Sequence, residues 1–119
     1  MKTLFVYGTL KRGLSNHHFL AGQSYIGDAR TAPGYALYEL SGYPGMVPEP
    51  WNPDGVTGEV WSVDDACLAH LDELEGTEQG LYRRELVPLV APFADVPVEA
   101  YLYSESLVGR RLVGSTWTE

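Results

Sequence analysis

A single cysteine, Cys67, leaves the chain unable to close a disulfide on itself or to build a zinc site from thiolates. With no partner thiol, a reducing compartment is the simpler expectation. Basic residues are also scarce: eight Lys and Arg stand against sixteen Asp and Glu, a formal net charge of −8. Most of these bases fall in three separated pairs, Lys11–Arg12, Arg83–Arg84 and Arg110–Arg111, and form no cationic stripe of the kind a phosphate backbone requires. The composition therefore argues against nucleic acid as a partner. No run approaches the roughly eighteen apolar residues of a membrane span. The opening MKTLFVYGTL has one Lys before an apolar run, but Tyr7, Gly8 and Thr9 interrupt it and no small-residue cleavage site follows. A cytoplasmic protein with no membrane association is expected.

What remains is ordinary for a soluble globule: 45% apolar and 20% charged residues. Residues 1–119 are expected to form a single domain, burying about two thirds of the surface the unfolded chain exposes. Short β-branched and aromatic segments at 3–7, 23–31, 35–40, 56–62, 81–90 and 96–103 have strand character. Residues 41–55, SGYPGMVPEPWNPDG, are dense in Pro and Gly and are expected to be an irregular loop. One helix is predicted over 63–74, opened by a Ser62–Asp65 capping box and stopped by Gly76. A second, short helix is expected within 13–21, capped near Ser15 or Asn16, and the tail at 104–119 is weakly patterned. The class is α+β: a compact mixed or antiparallel, barrel-like sheet with one or two short helices.

The helix ends in LDELEG, residues 71–76, with three carboxylates, Asp72, Glu73 and Glu75, in four consecutive positions. With Leu71 at zero on a wheel of about 100° per residue, Cys67, Leu68 and Leu74 fall within about 60° and mark the apolar face. Glu73 lands near the opposite side, at about 200°, and Asp72 at the edge, at about 100°. Glu75, at about 40°, is the one acid aimed at the core. A carboxyl there is costly unless paired, hydrogen-bonded or protonated. Two readings follow: Glu75 is a general acid/base with a raised pKa, or it caps loop amides or pairs with Arg83 or Arg84. Arg84 beside it would lower the pKa and oppose the first reading.

A second constellation is VYGTLKRG, residues 6–13. A strand ending in Gly-Thr can turn successive N–H groups outward into an anion-binding nest, although the GxxxxGK[ST] spacing of a P-loop is absent. The alternative is a tight strand-to-loop turn. Adjacent His17 and His18 lack the further ligands of a metal set, so no metal is expected there. Glu59, isolated in a strand, favours a structural role.

VYGTLKRG, GYALY at 34–38, YPG at 43–45, VTGEVW at 56–61, LDELEG at 71–76 and YRR at 82–84 occur in the order and spacing of one family. The chain resembles the gamma-glutamylcyclotransferase-like proteins, and within them is similar to the small bacterial members and to gamma-glutamylamine cyclotransferase. The resemblance implies a mixed fold built on a small barrel with a cavity. It implies Glu75 as the catalytic general acid/base, and Tyr7, Gly8, Thr9 and Leu10 as the substrate loop. Tyr82, seven residues past the glutamate, is implied at the site; Tyr43 of YPG is a further candidate for the cavity wall. The implied reaction releases 5-oxoproline and a free amine from a small-molecule γ-glutamyl amine or related conjugate. No metal or organic cofactor is implied, because the nucleophile is the substrate's own α-amine. The amides of residues 8–10 would hold either the substrate carboxylate or the developing oxyanion. The acidic balance leans toward cationic amines as leaving groups. A rival reading keeps the cavity as a non-catalytic binding module for an amino-acid-like ligand.

Overall fold

Alternation along the chain divides its apolar residues between the two faces of one sheet. The computed structural model describes residues 1–119 and resolves eight strands: β1 (Lys2–Val6), β2 (Ser24–Arg30), β3 (Tyr35–Glu39), β4 (Pro44–Pro48), β5 (Thr57–Val63), β6 (Tyr82–Leu86), β7 (Glu99–Tyr103) and β8 (Arg111–Gly114). The helix α1 (Asp65–Glu75) lies between β5 and β6 in the chain, and a 3-10 turn occupies His17–Leu20. On one face Leu4, Val6, Trp61, Val63, Tyr101 and Tyr103 pack with Cys67, Leu68 and Leu71 of the helix. On the other, Phe5, Val60, Ala100 and Leu102 pack with Leu37 and Met46. No helix is long and apolar enough to cross a membrane.

The strands run β2-β5-β1-β7-β4-β3-β8, with β6 added to β7 outside that path. Strand β7 is the junction. Its whole length pairs antiparallel with β6, from Tyr103 opposite Tyr82 to Glu99 opposite Leu86. Its other edge is divided: β1 meets it in parallel at Leu4–Glu99, and β4 meets it in parallel at Met46–Leu102. The Tyr7 side chain reaches into the resulting fork. Its hydroxyl donates to Tyr101 O at 2.6 Å and accepts from Met46 N at 3.2 Å, so one phenol joins all three strands.

Four expectations change. The mixed sheet is present, but it does not close into a barrel: outer strands β2 and β8 do not pair. Beyond β6, backbone pairing with the β2 end is limited to an isolated Thr31–Leu89 bridge and two flanking bonds, Ala32 N to Pro88 O and Val90 N to Arg30 O. Pro88 and Pro92 have no N–H to extend a ladder there. Within the expected loop at 41–55, β4 pairs with all of β3, its prolines confined to the strand ends where a missing donor is tolerated. In the tail, β8 pairs with β3 and Arg111 pairs with Glu39. The helix N-cap is Asp64, not Ser62: its side chain accepts from Cys67 N at 2.8 Å. Gly76 does end the helix, in the left-handed conformation at φ 66°.

Strands β1 and β5 touch closely at Gly58, where an added Cβ would sit 2.3 Å from Val6 O and 2.7 Å from the Phe5 ring. Both neighbours are buried and neither can withdraw. Gly58→Ala is therefore expected to lower unfolding free energy by about 1–3 kcal/mol or more, measured by urea denaturation. An unchanged midpoint would show that the two strands can separate at no cost.

Candidate active site

Beyond the fork, the end of β1, the loop after it and the start of β4 border a cavity of about 370 Å³ that reaches the C-terminal end of α1. All seven residues singled out from the sequence line it: Tyr7, Gly8, Thr9, Leu10, Tyr43, Glu75 and Tyr82. Glycine at position 8 has a steric cause, since a Cβ there would lie 2.7 Å from Pro44 Cγ. The chain next binds itself through its carbonyls. Gly8 O accepts from Lys11 N at 3.1 Å and Thr9 O from Asn16 N at 2.9 Å. Leu10 O lies 3.0 Å from His17 Nδ1, and Asn16 Nδ2 donates to Thr9 Oγ1 at 3.0 Å. The amides of Gly8, Thr9 and Leu10 donate to no protein acceptor. Three successive carbonyls are engaged and three successive N–H groups have no protein acceptor, which leaves them available to an anion.

Glu59 holds this loop from the side away from the cavity. Its buried carboxylate accepts from Arg12 N, Arg12 Nε and Trp61 Nε1, each at 3.1 Å. The Arg12 guanidinium also lies 3.8 Å over the Tyr25 ring and 3.1 Å from Asp28. Glu59 does not line the cavity, in keeping with its structural reading. His17 stacks on Trp61 with ring centroids 5.3 Å apart, and neither His17 nor His18 lines the cavity. No three His, Cys, Asp or Glu side chains are grouped to hold a metal ion.

The carboxylates of LDELEG part company. Glu73 is exposed. Asp72 accepts two bonds from Arg84, at 3.0 and 3.1 Å, and a third from the Tyr101 hydroxyl at 2.7 Å. Burial acts against ionisation of Asp72, yet these bonds hold its pKa below the ordinary value. Arg84 gives a third N–H to Glu99 at 2.7 Å, and no hydrogen bond or ion pair joins it to Glu75. Glu75 is half-buried at the cavity wall, with no hydrogen bond or ion pair from the protein to its carboxyl group. Burial alone pushes its pKa up to about 7.

Tyr7 and Tyr82 present rings to the cavity while their hydroxyls are committed elsewhere. Tyr82 donates to Pro44 O at 2.8 Å, and burial raises both phenols well above the ordinary value. Tyr101, Pro44, Leu81 and Asn16 also line the cavity and carried no signal that would single them out. One expectation fails at the helix end. Leu74, placed on the apolar face by the wheel, is 41% exposed and stands at the cavity mouth. The helix ends one residue later, so nothing packs over that flank.

The family described as gamma-glutamyl cyclotransferase, AIG2-like, matches residues 4–119. A Vibrio cholerae protein is 42% identical over 103 residues, covering 87% of this chain and 83% of its own length. The gamma-glutamylcyclotransferase family protein YtfP of Escherichia coli K12 is 36% identical over 112 residues, covering 94% of this chain and 91% of its own. A crystal structure of an AIG2-like protein from Mus musculus is similar at a TM-score of 0.77 and 29% identity, over 87% of this chain and 78% of that one.

The raised pKa of Glu75 carries a stability signature. Between its ordinary value of 4.5 and about 7 the folded protein keeps a proton that the unfolded chain has lost. Stability contributed at this position therefore falls as pH rises through that window. Glu75→Gln removes the dependence. Relative to the variant, the wild type is expected to lose up to about 3 kcal/mol between pH 4 and pH 8, read by urea denaturation. Parallel stability curves for the two proteins would rule out a buried, unpaired carboxyl.

Proposed function

The chain belongs to the gamma-glutamyl cyclotransferase, AIG2-like family, and from that membership we propose that it converts a γ-glutamyl amine or related conjugate to 5-oxoproline and a free amine. The observation that carries this reading is a lone carboxyl with a pKa of about 7, set in a cavity whose other wall offers three free amides. A base near neutrality takes a proton and returns it without a large penalty in either direction.

The substrate α-amine arrives as an ammonium and cannot attack. Ionised Glu75 accepts one of its protons, and the nitrogen lone pair then adds to the γ-carbonyl, forming the C–N bond of a five-membered ring. The charge that develops on the carbonyl oxygen, or the substrate's own carboxylate, is met by the N–H groups of Gly8, Thr9 and Leu10. Collapse breaks the C–N bond to the leaving nitrogen, which takes the proton held by Glu75. The ring nitrogen gives its second proton back through the freed carboxylate to the departing amine, leaving the neutral lactam of 5-oxoproline and a protonated amine. The ring walls of Tyr7, Tyr82 and Tyr43 limit the conformations of the bound glutamyl chain, and a folded chain favours closure over hydrolysis.

Mass-spectrometric detection of 5-oxoproline across a panel of γ-glutamyl conjugates tests the reaction. Glu75→Gln is expected to lower kcat/KM by about 100-fold or more with the fold retained. Full activity in that variant would remove Glu75 from the proposed role. Binding of γ-glutamyl compounds with no product from any of them would point to a ligand sensor instead. Because free Glu75 must be ionised to act, kcat/KM for the wild type is expected to rise with pH through about 7. A flat profile across pH 6–8 would contradict a base of that pKa.

A further inference from the structure

The geometry points to a leaving group that is uncharged and apolar or aromatic, selected at the cavity mouth by Tyr43, Leu74 and Leu81. This deepens the cyclotransferase reading and rests on it.

The chain has sixteen acidic residues, a balance that leans toward cationic amines, but only Glu75 among them lines the cavity. No Lys, Arg, His or Asp side chain lines it at all. The buried inner wall is made by Phe5, Val6, Tyr7, Pro44, Tyr82 and Tyr101. Toward solvent the lining turns to exposed Tyr43 and Leu74 and half-exposed Leu81, accompanied by uncharged Ser15, Asn16 and Gly42. Ser15 is already engaged, its amide and hydroxyl donating to Glu119 at 2.9 Å, and Asn16 is bonded to Thr9.

A γ-glutamyl substrate brings one ammonium of its own, and Glu75 is the only carboxyl available to meet it. An amine leaving group with a second positive charge would meet an uncharged lining, because the one other carboxylate at the mouth, Glu119, is already bound to the Ser15 amide and hydroxyl. An apolar or aromatic group meets the opposite situation. It covers Leu74 and Tyr43, two large apolar side chains that otherwise face water at 41% and 37% exposure. The acid excess of the chain lies elsewhere: Asp72 and Glu99 on Arg84, Glu59 and Asp28 on Arg12, Glu39 on Arg111.

The test compares L-γ-glutamyl phenethylamide with L-γ-glutamylputrescine as substrates. In parallel it compares binding of the corresponding glutaric monoamides, which lack the α-amine and cannot cyclise, to wild-type protein by calorimetry. The phenethyl compound is expected to be favoured at least about tenfold in kcat/KM and in Kd. Leu74→Glu, at an exposed position that tolerates a polar side chain, is expected to shift the binding ratio at least about fivefold toward the cationic compound. A Kd ratio under tenfold in the wild type, or one that Leu74→Glu leaves unchanged, overturns the assignment, as does failure of both monoamides to bind at millimolar concentration. Selective binding of the phenethyl monoamide with no 5-oxoproline from either conjugate would overturn the cyclotransferase reading and leave the mouth's selectivity standing.

Discussion

Strands β1 and β4 both need hydrogen-bonding partners on β7, whose free edge is only five residues long. Neither strand can take that edge whole, so each holds one point of it and they diverge. A divergence inside a sheet leaves backbone polar groups without ladder partners, and buried groups of that kind are costly. The Tyr7 hydroxyl answers two of them at once, accepting from Met46 N and donating to Tyr101 O. The cavity follows from the same geometry. It lies beside the fork, lined by Phe5, Val6 and Tyr7 on one side and Pro44 on the other, and the loop after β1 is left with its amides free.

Charge is sorted around that space with a consistent result. Arg84 is the base nearest in sequence to the LDELEG helix end that is partly buried, and it would have paired with whichever carboxylate its fork reached. It reaches Asp72 with two donors and Glu99 with a third. The Tyr101 hydroxyl adds to Asp72, so the helix is fastened to β6 and β7 through an acid that stays ionised. One helical turn away Glu75 receives none of these bonds, and its proton is held by burial alone. Two acids three residues apart thus have opposite electrostatic fates, because α1 turns one toward the guanidinium and the other toward the cavity.

How much of this was legible follows from how local each cause is. The inward phase of Glu75 is set by the helical period relative to Leu71 and Leu68, and the period survives folding. The loop at Gly8–Leu10 was legible as a strand end followed by Gly-Thr, although the reason for glycine, contact with Pro44, was not. Strand β4 was hidden because Pro and Gly density is a sound local signal for irregular structure, and only pairing to β3 reveals that the prolines sit harmlessly at its ends. The open sheet was illegible for a related reason: closure depends on whether residues after β6 can donate, and Pro88 and Pro92 interrupt that ladder. Leu74 was misplaced because the wheel assumes a partner on every side of the stripe, and a helix end has none. The choice of Arg84 between Asp72 and Glu75 is a tertiary fact, decided by the β6–β7 register and invisible to spacing along the chain.

The desolvation that lifts Glu75 to about 7 and the absence of any other charged side chain on the cavity wall are one property seen twice. A second carboxylate near Glu75 would raise its pKa further by repulsion and hold it protonated at neutral pH, while a lysine or arginine would lower the pKa and weaken it as a base. An acid/base poised near neutrality by burial therefore calls for a lining without other charges. Such a lining has little affinity for a cation beyond the one ammonium that the proposed reaction brings to Glu75. The proposed selectivity against charged leaving groups would then be a physical consequence of how the carboxyl is tuned, rather than a separate feature added at the mouth. Tyr43, Leu74 and Leu81 turn that exclusion into attraction, since they are the apolar side chains left with solvent to shed.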